Sequence, residues 1–146
     1  MSFGFGYIGR VISDSVLKQA TRFHGHLGPW LVLGLQAGAY ARKKLAASPF
    51  ELQARVFCPA GTPYTCFVDG VQFSSGCTMG KGNISHHRAN ECRVEFTRTG
   101  SRSRVRLAVR PEIWDELHSR QCKGMAGSAR LGREFARRRL EELFSE

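Results

Sequence analysis

The chain reads as one α+β domain, a mixed β-sheet flanked by helices, and three observations predict it. Apolar residues recur at helical spacing near both ends of the 146-residue sequence. Between those ends lie runs rich in β-branched and aromatic residues, and one of them alternates apolar positions with arginines along most of its length. No repeat or low-complexity tract interrupts this order, and the length suffices to bury roughly two-thirds of the unfolded surface in a single core.

Taken in order, Ser13 and Asp14 supply N-cap chemistry, and Ile12, Val16, Ala20 and Phe23 follow at helical spacing, so a first helix ends near His24. Pro29 suits a first helical position, and the apolar stretch after it closes on Arg42, Lys43 and Lys44, where the helix dipole favours cations. That stretch is the central buried helix. Gly34 and Gly38 share one of its faces and mark a packing groove, against the sheet or a dimer partner. Leu52, Ala54 and Val56 alternate as a half-buried strand that Cys58-Pro59 ends. Phe67, Val68, Val71 and Phe73 predict a second strand from Cys66, breaking into a loop that carries Gly76, Gly80 and Gly82. A strand over Cys92 to Thr97, a turn at Thr99-Gly100-Ser101 and a strand with Val105, Leu107 and Val109 on one side follow. Arg104, Arg106 and Arg110 fall on the other side, which implies a sheet with one wet face. Pro111 opens a short helix, Gly124 to Gly127 reads as a linker, and Ser128 caps a final helix with Leu131, Phe135, Leu140, Leu143 and Phe144 inward.

With 42% hydrophobic and 23% charged residues, the composition is that of a soluble domain, and no apolar run reaches the ~20 residues of a membrane span. No membrane partner is expected. The first residues lack the pattern of a secretory signal, which places the protein in the cytoplasm. Five cysteines in a reducing compartment are thiols or metal ligands, since no C-x-x-C pair suggests a ribbon or redox motif. A net charge of +10, mostly from Arg, points to anionic partners. The basic runs 102–110 and 130–139 carry no interleaved aromatics on the same face, which disfavours nucleic acid.

Chemistry concentrates in two places. His24 and His26 flank a glycine just before a helix, and in an extended segment residues two apart project to one side. Either they cap and pack around Trp30, or they share a metal. The second cluster, residues 66–83, holds Cys66, Asp69, Cys77, Lys81 and Asn83. Neutral imidazole and thiolate suit zinc, and His24, His26 and Cys77 as three ligands leave a fourth position open. Cys77 is favoured because its small neighbours leave it room and Lys81 lowers its pKa; Cys66, with Cys58, Cys92 and Cys122, reads as a buried thiol. Asp69 is a turn residue or a functional acid. Cys77, Lys81 and Asp69 are the candidate catalytic groups. The run GCTMGKGN fails as a nucleotide-binding P-loop, with one residue too few between Gly76 and Gly80 and Gly82 where Mg²⁺ needs a hydroxyl.

FHGHLGPWLVLGLQAGAYA at 23–41 together with CFVDGVQFSSGCTMGKGNI at 66–84 resembles the core domain of the FmdE-like family, which is named for its association with formylmethanofuran dehydrogenase. The resemblance implies a thioredoxin-like α+β core, an intertwined homodimer and a metal pocket to which His24, His26 and Cys77 contribute, with Cys66, Asp69 and Lys81 at polar positions around it. Two departures stand out. Gly28 replaces a cysteine found in many relatives before the proline, and residues 111–146 hold only Cys122, so the family's added zinc-finger domain is not expected.

Three functions compete. The first is a zinc-binding accessory subunit or small enzyme of anaerobic one-carbon or redox metabolism, acting on an anionic small molecule or within a larger oxidoreductase complex. The second is a basic docking module for a larger complex or nucleic acid. The third, redox chemistry between Cys66 and Cys77, requires their Cα atoms within roughly 7 Å.

Overall fold

The structure is a computed structural model that describes residues 12–120 and 123–146. Cys122 lies outside the described residues. Helix α1 (Asp14–His24) starts where the Ser13 hydroxyl accepts the Val16 amide at 3.2 Å, and ends at Gly25. Helix α2 (Pro29–Leu45) is buried on nearly every side, as its apolar sequence predicts. Strand β1 (Leu52–Cys58) follows, then helix α3 (Cys66–Ser75), strands β2 (Ile84–Arg88), β3 (Arg93–Arg98) and β4 (Arg104–Val109), and helix α4 (Pro111–Ser119). Helices α5 (Gly124–Ala136) and α6 (Leu140–Leu143) lead to the short strand β5 (Phe144–Ser145).

The sheet is mixed, in the order β2-β1-β3-β4-β5. β1 runs parallel to β2, with α3 in the connection, and every other pair is antiparallel. Leu52, Ala54, Val56, Val94, Phe96, Val105 and Leu107 point into the core, joined there by Leu31, Leu35, Tyr40, Phe67 and Phe135. The opposite face is wet and charged, as the alternation in β4 implies. Register places Glu95 between Arg55 and Arg106, a ladder of opposite charges across three strands.

Three expectations are corrected. The segment from Cys66 to Phe73 is a helix, because its buried residues Cys66, Phe67, Gly70, Val71 and Ser75 follow a helical stripe and tertiary packing overrides the strand propensity of Val and Phe. The partner of the Gly34 and Gly38 groove is this helix, neither the sheet nor a second subunit. A Cβ on Gly34 would sit 2.2 Å from the Phe67 carbonyl oxygen, and one on Gly70 would sit 2.2 Å from that of Leu31, so α2 and α3 touch backbone to backbone. Finally, residues 124–127 belong to α5, so Ser128 lies within that helix and donates to the Leu27 carbonyl at 3.0 Å. The chain then breaks at Arg137, so the expected final helix is α5, α6 and an edge strand. Among the described residues no helix is long and apolar enough to cross a membrane.

Candidate metal centre

Gly25 adopts φ 109°, a left-handed value that glycine tolerates, and its amide donates to the Thr21 carbonyl at 2.7 Å. The chain reverses there. His24, the last residue of α1, and His26, just past the reversal, meet with their Nε2 atoms 3.2 Å apart. A helix end and a left-handed glycine bring them together, rather than an extended segment.

The thiol that joins them is Cys66, the first residue of α3, whose Sγ lies 3.9 Å from His26 Nε2. One ligand atom from each of His24, His26 and Cys66 falls within 4.8 Å of the others. Tetrahedral zinc, with bonds of about 2.0–2.1 Å to nitrogen and 2.3 Å to sulfur, needs N···N about 3.3 Å and N···S about 3.6 Å. The two nitrogens already stand at that spacing, and a small rotamer adjustment brings the sulfur in.

Asp69 sits one turn along α3 from Cys66. Its Oδ2 lies 2.6 Å from His24 Nδ1, and its Oδ1 accepts from Gln72 Nε2 at 3.1 Å. A carboxylate accepts only, so His24 carries its proton on Nδ1 and turns the Nε2 lone pair toward Cys66 and His26. This carboxylate–histidine arrangement fixes tautomer and ring orientation at metal centres. Burial first, and the Asp69 charge second, push the Cys66 thiol above its ordinary pKa, against the hydrogen bond at its own backbone. Without a cation the thiol is protonated. A cavity of about 550 Å³ adjoins the cluster, lined by His24, Cys66 and Asp69 and also by Thr65, Ser85 and His86. Its size is that of a small-molecule site.

Cys77 and Lys81 lie at the other end of α3. Ten residues of helix at a rise of about 1.5 Å separate the two thiols by roughly 15 Å, which excludes a Cys66–Cys77 disulfide in this fold. Cys77 is fully buried, its amide donating to Ser75 Oγ at 3.0 Å. Burial dominates its titration and raises its pKa, with the Ser75 hydrogen bond, Lys81 and Arg42 opposing more weakly, so the expected activation by Lys81 does not prevail. Lys81 Nζ donates to the Gly76 carbonyl and to Thr78 Oγ1. Asn83 takes the Thr78 amide on its oxygen and gives its two N–H groups to the carbonyls of Pro49 and Leu52, at 2.8–3.0 Å. Cys58 and Cys92 are buried as expected, and burial lifts the Cys58 thiol to about 11.

Both histidines and Asp69, singled out from the sequence, are thus brought into contact, while the thiol preferred from the sequence lies at the far end of the helix from them. The missed signal is spacing: Cys66 and Asp69, three apart, share a helical face once the segment is helical. His86 was also missed as a lining residue, since ISHHR shows no apolar alternation to announce an edge strand.

A family model described as "FmdE, Molybdenum formylmethanofuran dehydrogenase operon" matches residues 23–145, a span that includes both histidines, Cys66 and Asp69. The chain is also 27% identical over 141 residues to a probable S-adenosyl-L-methionine-binding protein of Archaeoglobus fulgidus. That match covers 90% of this chain and 37% of the relative, so the chain spans little more than a third of that protein's length. Because the family match runs over nearly the whole chain, from the first histidine's neighbour to the edge strand, the chain belongs to the FmdE family.

Proposed function

We propose that this protein binds a zinc ion through His24 Nε2, His26 Nε2 and Cys66 Sγ, with a fourth position open toward the cavity. The observation that carries the reading is the convergence of those three atoms within 4.8 Å, with Asp69 behind His24 to set its tautomer. Three protein ligands and one open position are the pattern of catalytic rather than closed structural zinc. Such an ion supplies Lewis-acid chemistry or a bound water of lowered pKa. Cys66 takes the ligand role that sequence reasoning assigned to Cys77; Asp69 is the positioning residue, while Cys77 and Lys81 shape the loop after α3. We assign the protein to anaerobic one-carbon or redox metabolism, as a cytoplasmic homodimeric accessory subunit or small enzyme, on family membership.

Elemental analysis after dialysis tests the reading. One metal per chain in the wild type and little in His26→Ala is the expected result. A His26→Ala variant that keeps stoichiometric metal overturns the ligand set. A metal-free wild type purified without chelator overturns the metal function and leaves a docking module that uses the arginines of the open sheet face.

A further inference from the structure

Many of the cations of this protein are paired with carboxylates and others are not. Arg55, Arg93, Arg98, Arg106, Arg120, Arg138 and Arg139 each face a carboxylate, most within one sheet ladder or one cluster around Glu116. Several cations do not, and four of them, Lys18, Arg22, Arg133 and Arg137, stand together. Among the described residues no acid pairs with any of these four, and all four line one cleft between α1 and α5. The cleft measures about 740 Å³, the size of a small-molecule site, and its floor is apolar, with Leu17, Leu27 and Ala129. Asp14 is the sole acid lining it and makes no ion pair among the described residues. His26 lines it as well, so the cleft reaches the proposed metal centre.

The spacing of these cations is unfavourable on its own. Lys18 and Arg22 are four apart on α1, Arg133 and Arg137 four apart at the end of α5, and like charges at that spacing repel within each helix. The two helices then face both pairs into one concavity, where low-dielectric walls strengthen the field. An anion in the concavity is attracted by every one of these cations and offsets their mutual repulsion. Guanidinium groups also offer the forked donors that match carboxylate and phosphate oxygens.

We infer that the cleft between α1 and α5 binds a small organic anion, its carboxylate or phosphate held by Lys18, Arg22, Arg133 and Arg137 and its apolar part resting on Leu17, Leu27 and Ala129. This goes beyond the metal reading and stands on different residues, sharing only His26 with it.

The test is titration calorimetry at low salt with 1-naphthyl phosphate, with 1-naphthoate as a second anion, and with inorganic phosphate and neutral 1-naphthol as partial probes. Both aromatic anions binding at one site per chain, more tightly than either partial probe, is expected; the tighter of the two identifies the head group. The paired change Arg133→Gln with Arg137→Gln lowers that affinity about tenfold or more, since it removes charge-assisted hydrogen bonds. Arg104→Gln with Arg106→Gln removes the same charge from the sheet face and leaves affinity within about twofold. All four positions are solvent-facing, and an unchanged melting temperature verifies the fold of each variant. Equal losses in both variants overturn the inference, because net charge alone then explains binding. Displacement of 1-naphthyl phosphate by a (dT)20 oligonucleotide but not by 1-naphthoate overturns it too and makes the cleft part of a nucleic-acid surface. Retention of full affinity by Arg133→Gln/Arg137→Gln excludes the site outright. Metal content is unaffected by these variants, so failure here is distinct from failure of the metal centre.

Discussion

The two ends of α3 each carry a buried thiol among polar side chains and use them in opposite ways. At the N-terminal end, Cys66, Asp69 and the two histidines converge so that the His24 lone pair, the His26 ring and a thiol share one point. At the C-terminal end the polar groups of Cys77–Asn83 bond to backbone and to nearby side chains: Lys81 to Gly76, the Cys77 amide to Ser75, and Asn83 to Thr78 within the loop and to the segment Pro49–Leu52 beside it. The first end turns its acceptors toward a common centre, and the second spends its polar groups on holding its loop in place. A dense run of Cys, Lys and Asn is therefore the mark of a stitched loop here, and convergence of lone pairs is the mark of a site.

The sharpest way to break this contrast is a pair of serines. Cys66→Ser removes the soft ligand and is expected to cut bound metal from one per chain to a small fraction, whereas Cys77→Ser leaves the stoichiometry near one and lowers stability through a buried hydroxyl. The reverse pattern in elemental analysis would move the centre to the other end of the helix. Next in size is Asn83→Ala, which strips the Thr78 amide and the Pro49 and Leu52 carbonyls of their partner. A loss of about 2–3 kcal/mol in denaturant unfolding is expected, with metal content retained. At the opposite end, Asp69→Asn keeps the shape but not the charge that fixes His24. It is expected to weaken metal affinity about 10- to 100-fold in a chelator competition, with little change in melting temperature.

The smallest effect lies away from both ends and sets a scale for charge alone. Arg138 above all, with Arg120, holds the Glu116 carboxyl down to about 2. Since its unfolded value is about 4.3, the pairing stabilises fully above that pH and fades as pH falls toward 2. With solvent screening the contribution is about 1 kcal/mol at neutral pH. Melting curves of wild type and Glu116→Gln are expected to differ at pH 7 and to converge near pH 2.

Much of this was legible in the sequence, for physical reasons that differ by element. Pro29 and the apolar run after it announce α2; the alternation of Val105, Leu107 and Val109 with flanking arginines announces β4; Ser13 marks the start of α1. The mixed sheet follows from their order. α3 was illegible because its composition and its spacing disagree: Val and Phe favour a strand, while Gly70 and Ser74 make sense only once Gly34 and Gly38 are seen to lie against them. That is a long-range fact. The same error hid the thiol of the site, since a strand turns Cys66 and Asp69 to opposite faces and a helix aligns them. The edge strand β2 is short and polar, and its pairing with β1 is set by tertiary contact alone.

At Gly28 the loop before α2 and the helix α5 compete for the same few ångströms. A Cβ there would lie 2.6 Å from Ser128 Oγ and 3.5 Å from His26 Cε1, and the backbone is extended, at φ −158°, so no glycine is demanded by conformation. The cysteine that the family pattern carries before this proline would thus stand beside His26, a proposed ligand, and the Ser128 hydroxyl occupies its room. Residues 28 and 128, a hundred positions apart, form a joint choice between an extra thiol at the centre and a hydroxyl that ties α5 to the loop. Gly28→Cys with the serine retained obliges the Ser128 hydroxyl to turn away from the loop and give up its bond to the Leu27 carbonyl.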